Sequence, residues 1–321
     1  MNEKGRGTGS GRSEARLPFI PDELPKALRP YLKIGTCSWK YPSWKGMVYD
    51  RDKVYRPDEF LSDYARIFDT VEVDQWFWSL FPGNVRLPEA RTVKLYARSV
   101  PEDFRFTVKA PNALTLTHFY SKQPAGSAAV AGKPNGHFLS VELLARFLET
   151  LEPLGKKLGP VMFQFEYLNR NKMPSLQAYI ERFGGFMERA PKGFQYAVEI
   201  RNPNYLVPPF FAFLKERGLG FVYLDGYYMP PIGRVFEESS PETAAFQVVR
   251  LHGGDRAEIE KETGEVWDRV VAPKPEGLKA AAAVVRRNAR RKVLTYLNLN
   301  NHYEGSAPLS VMRFLESLNR R

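Results

Sequence analysis

Cysteine is almost absent from this chain: Cys37 is the only one in 321 residues. A single thiol excludes an internal disulfide and any cysteine-cluster metal site, and it fits a reducing compartment. No HxH, HExxH or CxxC spacing occurs, and neither a Walker nor a dinucleotide-binding glycine pattern is present, so no nucleotide cofactor is expected. Apolar runs fall short of the roughly 18–20 residues that cross a bilayer. The N-terminus lacks the charged-then-apolar pattern of an export signal. The expectation is a soluble cytoplasmic protein without a membrane partner.

What is abundant is apolar material, at 43% of residues, and positive charge, at a net +11. The first can fill a large core, and the length suits one barrel-sized domain. The second favours polyanions on electrostatic grounds. Its densest run, Arg286-Arg287-Asn288-Ala289-Arg290-Arg291-Lys292, closes an Ala/Val-rich helix just before a strand, which reads as a solvated helix end at the face away from the strand C-termini. The basic charge alone therefore does not place nucleic acid in a site.

Eight times a short apolar run ends in two polar side chains spaced i, i+2: Thr36/Ser38, Glu72/Asp74, Thr107/Lys109, Gln164/Glu166, Glu199/Arg201, Tyr223/Asp225, Arg250/His252 and Asn298/Asn300. In a strand, residues two apart share a face. Each pair is expected to point one way, while Cys37, Val73, Val108, Phe165, Ile200, Leu224, Leu251 and Leu299 point the other. Cys37 would then face a helix layer and is discounted as a nucleophile. Unpaired buried polar groups cost roughly 2–7 kcal/mol each, so a dry core would not hold eight such pairs without mutual pairing or water. A closed ring of parallel strands with an open mouth gathers them.

Residues 1–30 are rich in Gly, Ser, Arg, Glu and Pro and read as a disordered arm, with the domain spanning 31–321. Strands are expected near 32–38, 69–74, 104–109, 160–166, 195–201, 220–225, 246–252 and 293–300. Helical patterns lie at 57–68, 86–98, 138–154, 174–189, 208–217, 276–291 and 307–319, with none evident between strands six and seven. Strands alternating with helices predict an α/β fold, a single (β/α)8 TIM-type barrel, over a doubly wound sheet, whose polar ends would gather at one switch point. Long strand-to-helix segments at 110–137, 226–245 and 253–275 put function at the C-terminal face. Segment 110–137, poor in apolar residues from Lys122 to Gly136, is expected to form a mobile flap.

Six ordered motifs are similar to those of the YecE-like family, domain of unknown function seventy-two. They are Ile34-Gly35-Thr36-Cys37-Ser38-Trp39-Lys40-Tyr41-Pro42-Ser43-Trp44, Thr70-Val71-Glu72-Val73, Leu158-Gly159-Pro160-Val161-Met162-Phe163-Gln164, Ala197-Val198-Glu199-Ile200-Arg201, Arg250-Leu251-His252-Gly253 and Asn300-Asn301-His302-Tyr303-Glu304-Gly305. The resemblance implies a TIM-type barrel in a cytoplasmic microbial protein without an established activity. A proposed likeness of that family's site to endonuclease IV would imply nucleic-acid or phosphodiester binding. Two departures, Asp74 for a common Asn and Glu166 for a usual Pro, add carboxylates to the mouth.

The chemistry that these residues allow is polar. Glu199 beside Arg201 suits a general acid or base held by a cation, or equally a neutralised pair lining the barrel. Glu72 and Asp74 repel unless a proton or cation intervenes, and Lys109, Arg201 and Arg250 can neutralise them. The pairs hold more acids than permanent bases, which leaves room for a divalent cation. Its candidate ligands are Glu72, Glu199, Asp225 and His252, with His302 behind them. His252 suits a general base or a structural role. Asn300 and Gln164 can orient a ligand, although Asn300-Asn301-His302 also suits a turn. Trp39, Tyr41, Trp44, Trp76, Phe77, Trp78, Tyr227 and Tyr228 could stack on bases or sugars, or pack the loops down.

The reading is an enzyme, hydrolase- or isomerase-like, acting on a phosphate- or sugar-containing substrate. Glu199, Glu72 and His252 are its catalytic candidates. Lys109, Gln164, Arg201, Asp225, Arg250, Asn300, Trp39 and Tyr41 are its binding candidates. The rivals are a non-catalytic nucleic-acid-binding protein and a partner-binding scaffold.

Overall fold

The computed structural model describes residues 17–120, 128–239, 241–254 and 256–320. Eight parallel strands form a closed barrel: β1 (Leu32–Cys37), β2 (Thr70–Val73), β3 (Arg105–Lys109), β4 (Leu158–Gln164), β5 (Tyr196–Glu199), β6 (Gly220–Gly226), β7 (Phe246–Gly253) and β8 (Leu294–Leu299). Each pairs with its sequence neighbours, and β1 closes the ring on β8, with Gly35 opposite Asn298. At the join with β2, Gly35 lies so close to Thr70 that a Cβ would sit 1.8 Å from its carbonyl oxygen, so this position accepts only glycine.

Each strand is followed by a helix that leads back to the next strand or closes the ring: α1 (Glu59–Tyr64), α2 (Ala90–Arg98), α3 (Val141–Leu151), α4 (Leu176–Arg189), α5 (Pro208–Glu216), α6 (Ile232–Ser239), α7 (Pro275–Arg290) and α8 (Ala307–Asn319), with shorter helices Asn112–Thr115, Arg256–Thr263 and Asn301–Glu304 in the loops after β3, β7 and β8. Local chemistry sets their starts. Ser140 and Ser175 accept hydrogen bonds from Leu143 N and Ala178 N to cap α3 and α4. Leu143, Leu144, Phe147, Leu148 and Leu151 recur at helical spacing and bury one stripe of α3 against the barrel. Between strands six and seven, where the sequence shows no helical pattern, α6 buries only Ile232 and Val235 and carries acidic residues elsewhere, too thin a stripe to read as a period.

Residues 1–16 of the expected arm lie outside the described residues. Residues 17–30, which the sequence reading assigned to that arm, belong to the fold: Ile20 and Leu24 are buried, and Ile20 N donates to Ile67 O. Part of the expected flap, 121–127, also lies outside the described residues. Its flanks are tied together, because Asn135 donates to Ala113 O and Leu116 O, and Phe119 pairs with Lys133 and Gly132.

Inside the barrel, Met162, Ala197, Val222, Phe246, Val248 and Tyr296 form an apolar cluster separate from the main core between barrel and helices. It seals the barrel beneath the strand ends, so the polar groups there meet solvent from one side only.

Six of the eight expected parities hold. Those of β1 and β6 are reversed. Leu32 and Ile34 face the helices, so Thr36 on the same face meets Tyr64, whose hydroxyl receives the Thr36 N–H at 2.8 Å. Cys37 points inward, its register partner being Glu72. On β6, Val222 joins the interior cluster and Leu224 pairs with Arg250. Tyr223 and Asp225 therefore face outward, where Arg287 donates to Tyr223 Oη and Tyr303 Oη donates to Asp225. Arg287 is no solvated helix end. It is buried, and it also donates to Pro241 O and the Gln247 and Asn288 side chains.

Candidate active site at the barrel mouth

The site is organised around Arg250, which enters from β7 and is 1% exposed. Its Nε and Nη2 donate to the two Glu72 oxygens at 2.6 Å each, a forked contact across the barrel. Its Nη1 donates to Glu199 Oε2 and, at 3.3 Å, to Gln164 Oε1. Arg201 donates from Nε to the other Glu199 oxygen at 3.1 Å and lies over the Tyr227 ring. Both oxygens of both carboxylates are thus engaged. Burial pushes the Glu199 carboxyl up, but Arg250, Arg201 and Lys109 outweigh it and hold the group below the usual glutamate range. Glu199 is a fixed anion, better suited to holding guanidinium groups than to carrying a proton.

Lys109 ends β3 on the same face. It is 9% exposed, and its Nζ lies 4.0 Å from the Phe77 ring centroid. Among the described residues its amine makes no hydrogen bond or ion pair. Burial and Arg250 lower its pKa, with Glu72, Asp74 and Glu199 opposing. Asp74, on the face of Glu72 and beside Lys109, is raised by burial and by Glu72 against the pull of Lys109 and Arg250. This carboxyl is thus moved toward the range in which it carries a proton.

His252 points inward, with Nδ1 3.2 Å from Tyr227 Oη and Nε2 3.4 Å from Cys37 Sγ. Burial, Arg250, Lys109 and Arg201 push its pKa well down, so the ring is neutral. Burial and Glu72 push the Cys37 thiol well up, so it is neutral too. With both ring nitrogens occupied by protein groups, His252 has none left for a substrate in this arrangement.

The remaining candidates divide. Asp225 faces outward, as described, and cannot reach the mouth. Asn300 caps the short helix Asn301–Glu304, its oxygen accepting from His302 N at 3.0 Å and contacting His302 Nδ1 at 2.6 Å; the turn reading describes it. His302 Nε2 lies 3.1 Å from Glu260 and so is turned away from a metal set. Glu166 leaves the ring for a side pocket, where it pairs with Lys172 and accepts from Thr117. Trp39 is buried edge-on against Tyr96, so it packs a loop instead of offering a stacking face. Tyr41 is half-buried against Trp44, its hydroxyl raised by burial and Asp74.

Asp225 and Glu166 were the acids that gave the ring its apparent excess of negative charge. Without them, Glu72, Asp74 and Glu199 face Lys109, Arg201 and Arg250, and nothing is left over to attract a divalent cation. Among the described residues, one set of metal-type donors converges, Cys37, Glu72 and His252, with ligand atoms within 4.8 Å of one another. It is a poor fit for a metal: the thiol is protonated, the imidazole is engaged at both nitrogens and Glu72 is held by Arg250.

Fold and site together define a parallel (β/α)8 barrel with a charged, one-sided mouth at its C-terminal face, the place where such barrels keep their sites. The chain belongs to the family described as Protein of unknown function DUF72, whose model matches residues 33–321. Two of the curated proteins similar to it are the UPF0759 protein YecE of Escherichia coli (strain K12), 22% identical over 253 residues covering 73% of this chain and 78% of that protein, and the UPF0759 protein YunF of Bacillus subtilis (strain 168), 25% identical over 241 residues covering 69% and 73%. Among solved structures, a DUF72 family protein from Thermotoga maritima MSB8 superposes with a TM-score of 0.60 at 25% identity, covering 90% of this chain and 100% of that one. One from Enterococcus faecalis V583 gives 0.58 at 18% identity, covering 90% and 96%.

Proposed function

We propose that the chain is an enzyme that binds a small polyhydroxylated substrate carrying a phosphate or carboxylate at the barrel mouth and moves protons on it. One observation carries the reading: among the described residues Lys109 is a buried cation without a protein acceptor, in a ring where the oxygens of Glu72 and Glu199 are taken by Arg250 and Arg201. A buried charge without a partner is costly, and an anionic ligand removes that cost. Arg201, with 22% of its side chain exposed, gives a second cation at the opening. Gln164 accepts from Arg250 through its oxygen, leaving its amide nitrogen to donate to a ligand. Asp74 is the proton carrier in this reading, because burial moves it toward neutral pH.

Calorimetric titration with inorganic phosphate and a panel of sugar phosphates tests the reading. Binding that weakens with salt and is lost in Lys109→Met supports it; absence of binding by any anion would overturn it.

A second reading, nucleic-acid binding without turnover, draws on exposed aromatics in the loops after β2, β3, β4 and β6: Trp78, Tyr120, Tyr167 and Tyr228. Single-stranded oligonucleotides bound with a steep salt dependence, and no turnover of small anions, would favour it.

A further inference from the structure

Lys109 invites comparison with Lys157, which is also 9% exposed. Lys157 donates to Ala97 O and Val100 O and pairs with Glu102 at 2.9 Å. That is how a folded chain ordinarily satisfies a buried ammonium. Lys109 has three carboxylates in its vicinity, Glu72, Asp74 and Glu199, and bonds to none of them, Glu72 and Glu199 being turned to Arg250 and Arg201. Its amine lies 4.0 Å from the Phe77 ring centroid, at the C-terminal end of β3.

We propose that Lys109 is a nucleophile that forms an imine with the carbonyl carbon of the substrate, an open-chain aldose or ketose phosphate. The proposal rests on the anion-binding reading of the same mouth and names the substrate class within it. A lysine amine is activated when it is desolvated beside another cation, and Arg250 is that cation here. Burial and Arg250 shift Lys109 toward its neutral form.

The atoms balance as follows. The nitrogen lone pair of the neutral amine attacks the carbonyl carbon, a C–N bond forms, and the C=O π pair moves to oxygen. One proton passes from nitrogen to that oxygen and gives a carbinolamine. Asp74, in its protonated form, then donates a proton to the hydroxyl. The C–O bond breaks, water leaves, and the nitrogen lone pair closes the C=N bond. The product is an iminium cation facing the new Asp74 carboxylate.

Borohydride trapping on the full chain tests the proposal, with dihydroxyacetone phosphate and glyceraldehyde 3-phosphate as probes. The expected result is a secondary amine at Lys109, located by peptide mapping. It carries the mass of the probe less one oxygen, forms at least tenfold faster than adducts at surface lysines, and loses that advantage in urea. Lys109→Arg should abolish it. If Lys109→Arg fails to fold, the map of the natural chain still decides. Adducts spread over surface lysines with Lys109 unmodified would overturn the imine. If inorganic phosphate still binds in that case, the anion-binding reading survives it.

Discussion

Glu72 on β2 and Arg250 on β7 meet across the barrel through two hydrogen bonds of 2.6 Å, each side chain 1% exposed. The contact satisfies a charge that neither strand could bury alone, and it decides what the mouth can do. By taking both Glu72 oxygens and one of Glu199, Arg250 fixes both side chains in place. It leaves Lys109 and Asp74 as the groups able to act on a ligand.

Arg250→Met should be severely destabilising. It strands two buried carboxylates, and breaking a buried pair in this way costs about 3–5 kcal/mol. Arg250→Lys, which keeps the charge but loses the fork, should fall between. Urea unfolding measures both, and a loss under about 1 kcal/mol for the Met variant would show that the ring does not hold the fold.

Glu199→Gln should lower stability at neutral pH, because Arg250 and Arg201 lose their shared anion. The folded-state pKa of Glu199 is depressed. Its contribution is therefore present above the unfolded-state pKa and lost as pH falls through the folded value. The gap between natural chain and variant should narrow on acidification. Melting curves at neutral and acid pH check this, and a constant gap would contradict it.

Asp69 shifts stability the other way. Burial raises its carboxyl to about 6, against Lys33 and a hydrogen bond from Ile34 N. A raised carboxyl favours the folded state below the unfolded value, near 3.8, and that contribution disappears as pH rises to about 6. Asp69→Asn should lack this fall, so the difference between the two stability curves should change across that window and flatten above it. Parallel curves would refute the assignment.

Asp74→Asn should tighten inorganic phosphate binding on the order of tenfold, about 1.4 kcal/mol, by removing a like charge beside Lys109. Because the natural carboxyl is raised, it is protonated first as pH falls. The advantage of the variant should shrink with acidification. Calorimetry over a pH series measures it, and an affinity lowered by the substitution would count against Asp74 as a neighbour of the anion.

The barrel was legible because strands and helical stripes alternate along the chain, and six of the eight polar pairs revealed their inner face through charges or amides that could not lie against helices. The two failures have one cause. On β1, Leu32 and Ile34 share a face with Thr36, and on β6, Phe221 shares one with Tyr223; these apolar residues mark the side that meets the helices, and they outweigh a polar strand end. Thus Cys37 belongs to the mouth and Asp225 does not. The choice of partners within the ring was not legible. That Arg250 takes Glu72 and Glu199 and leaves Lys109 without a bond depends on which strands face each other after closure, and local pattern carries no trace of it.

The contacts of Arg250 span 178 residues to Glu72, 86 to Gln164 and 51 to Glu199. Segments this far apart meet only after intervening loops have been closed, and such contacts slow folding. The ring of charges is therefore expected to form late in folding. Contacts absent from the folding transition state act mainly on the unfolding rate. The same ion cluster that holds the carboxylates of the mouth should then act as a clasp on the closed barrel, seen as faster unfolding when it is broken.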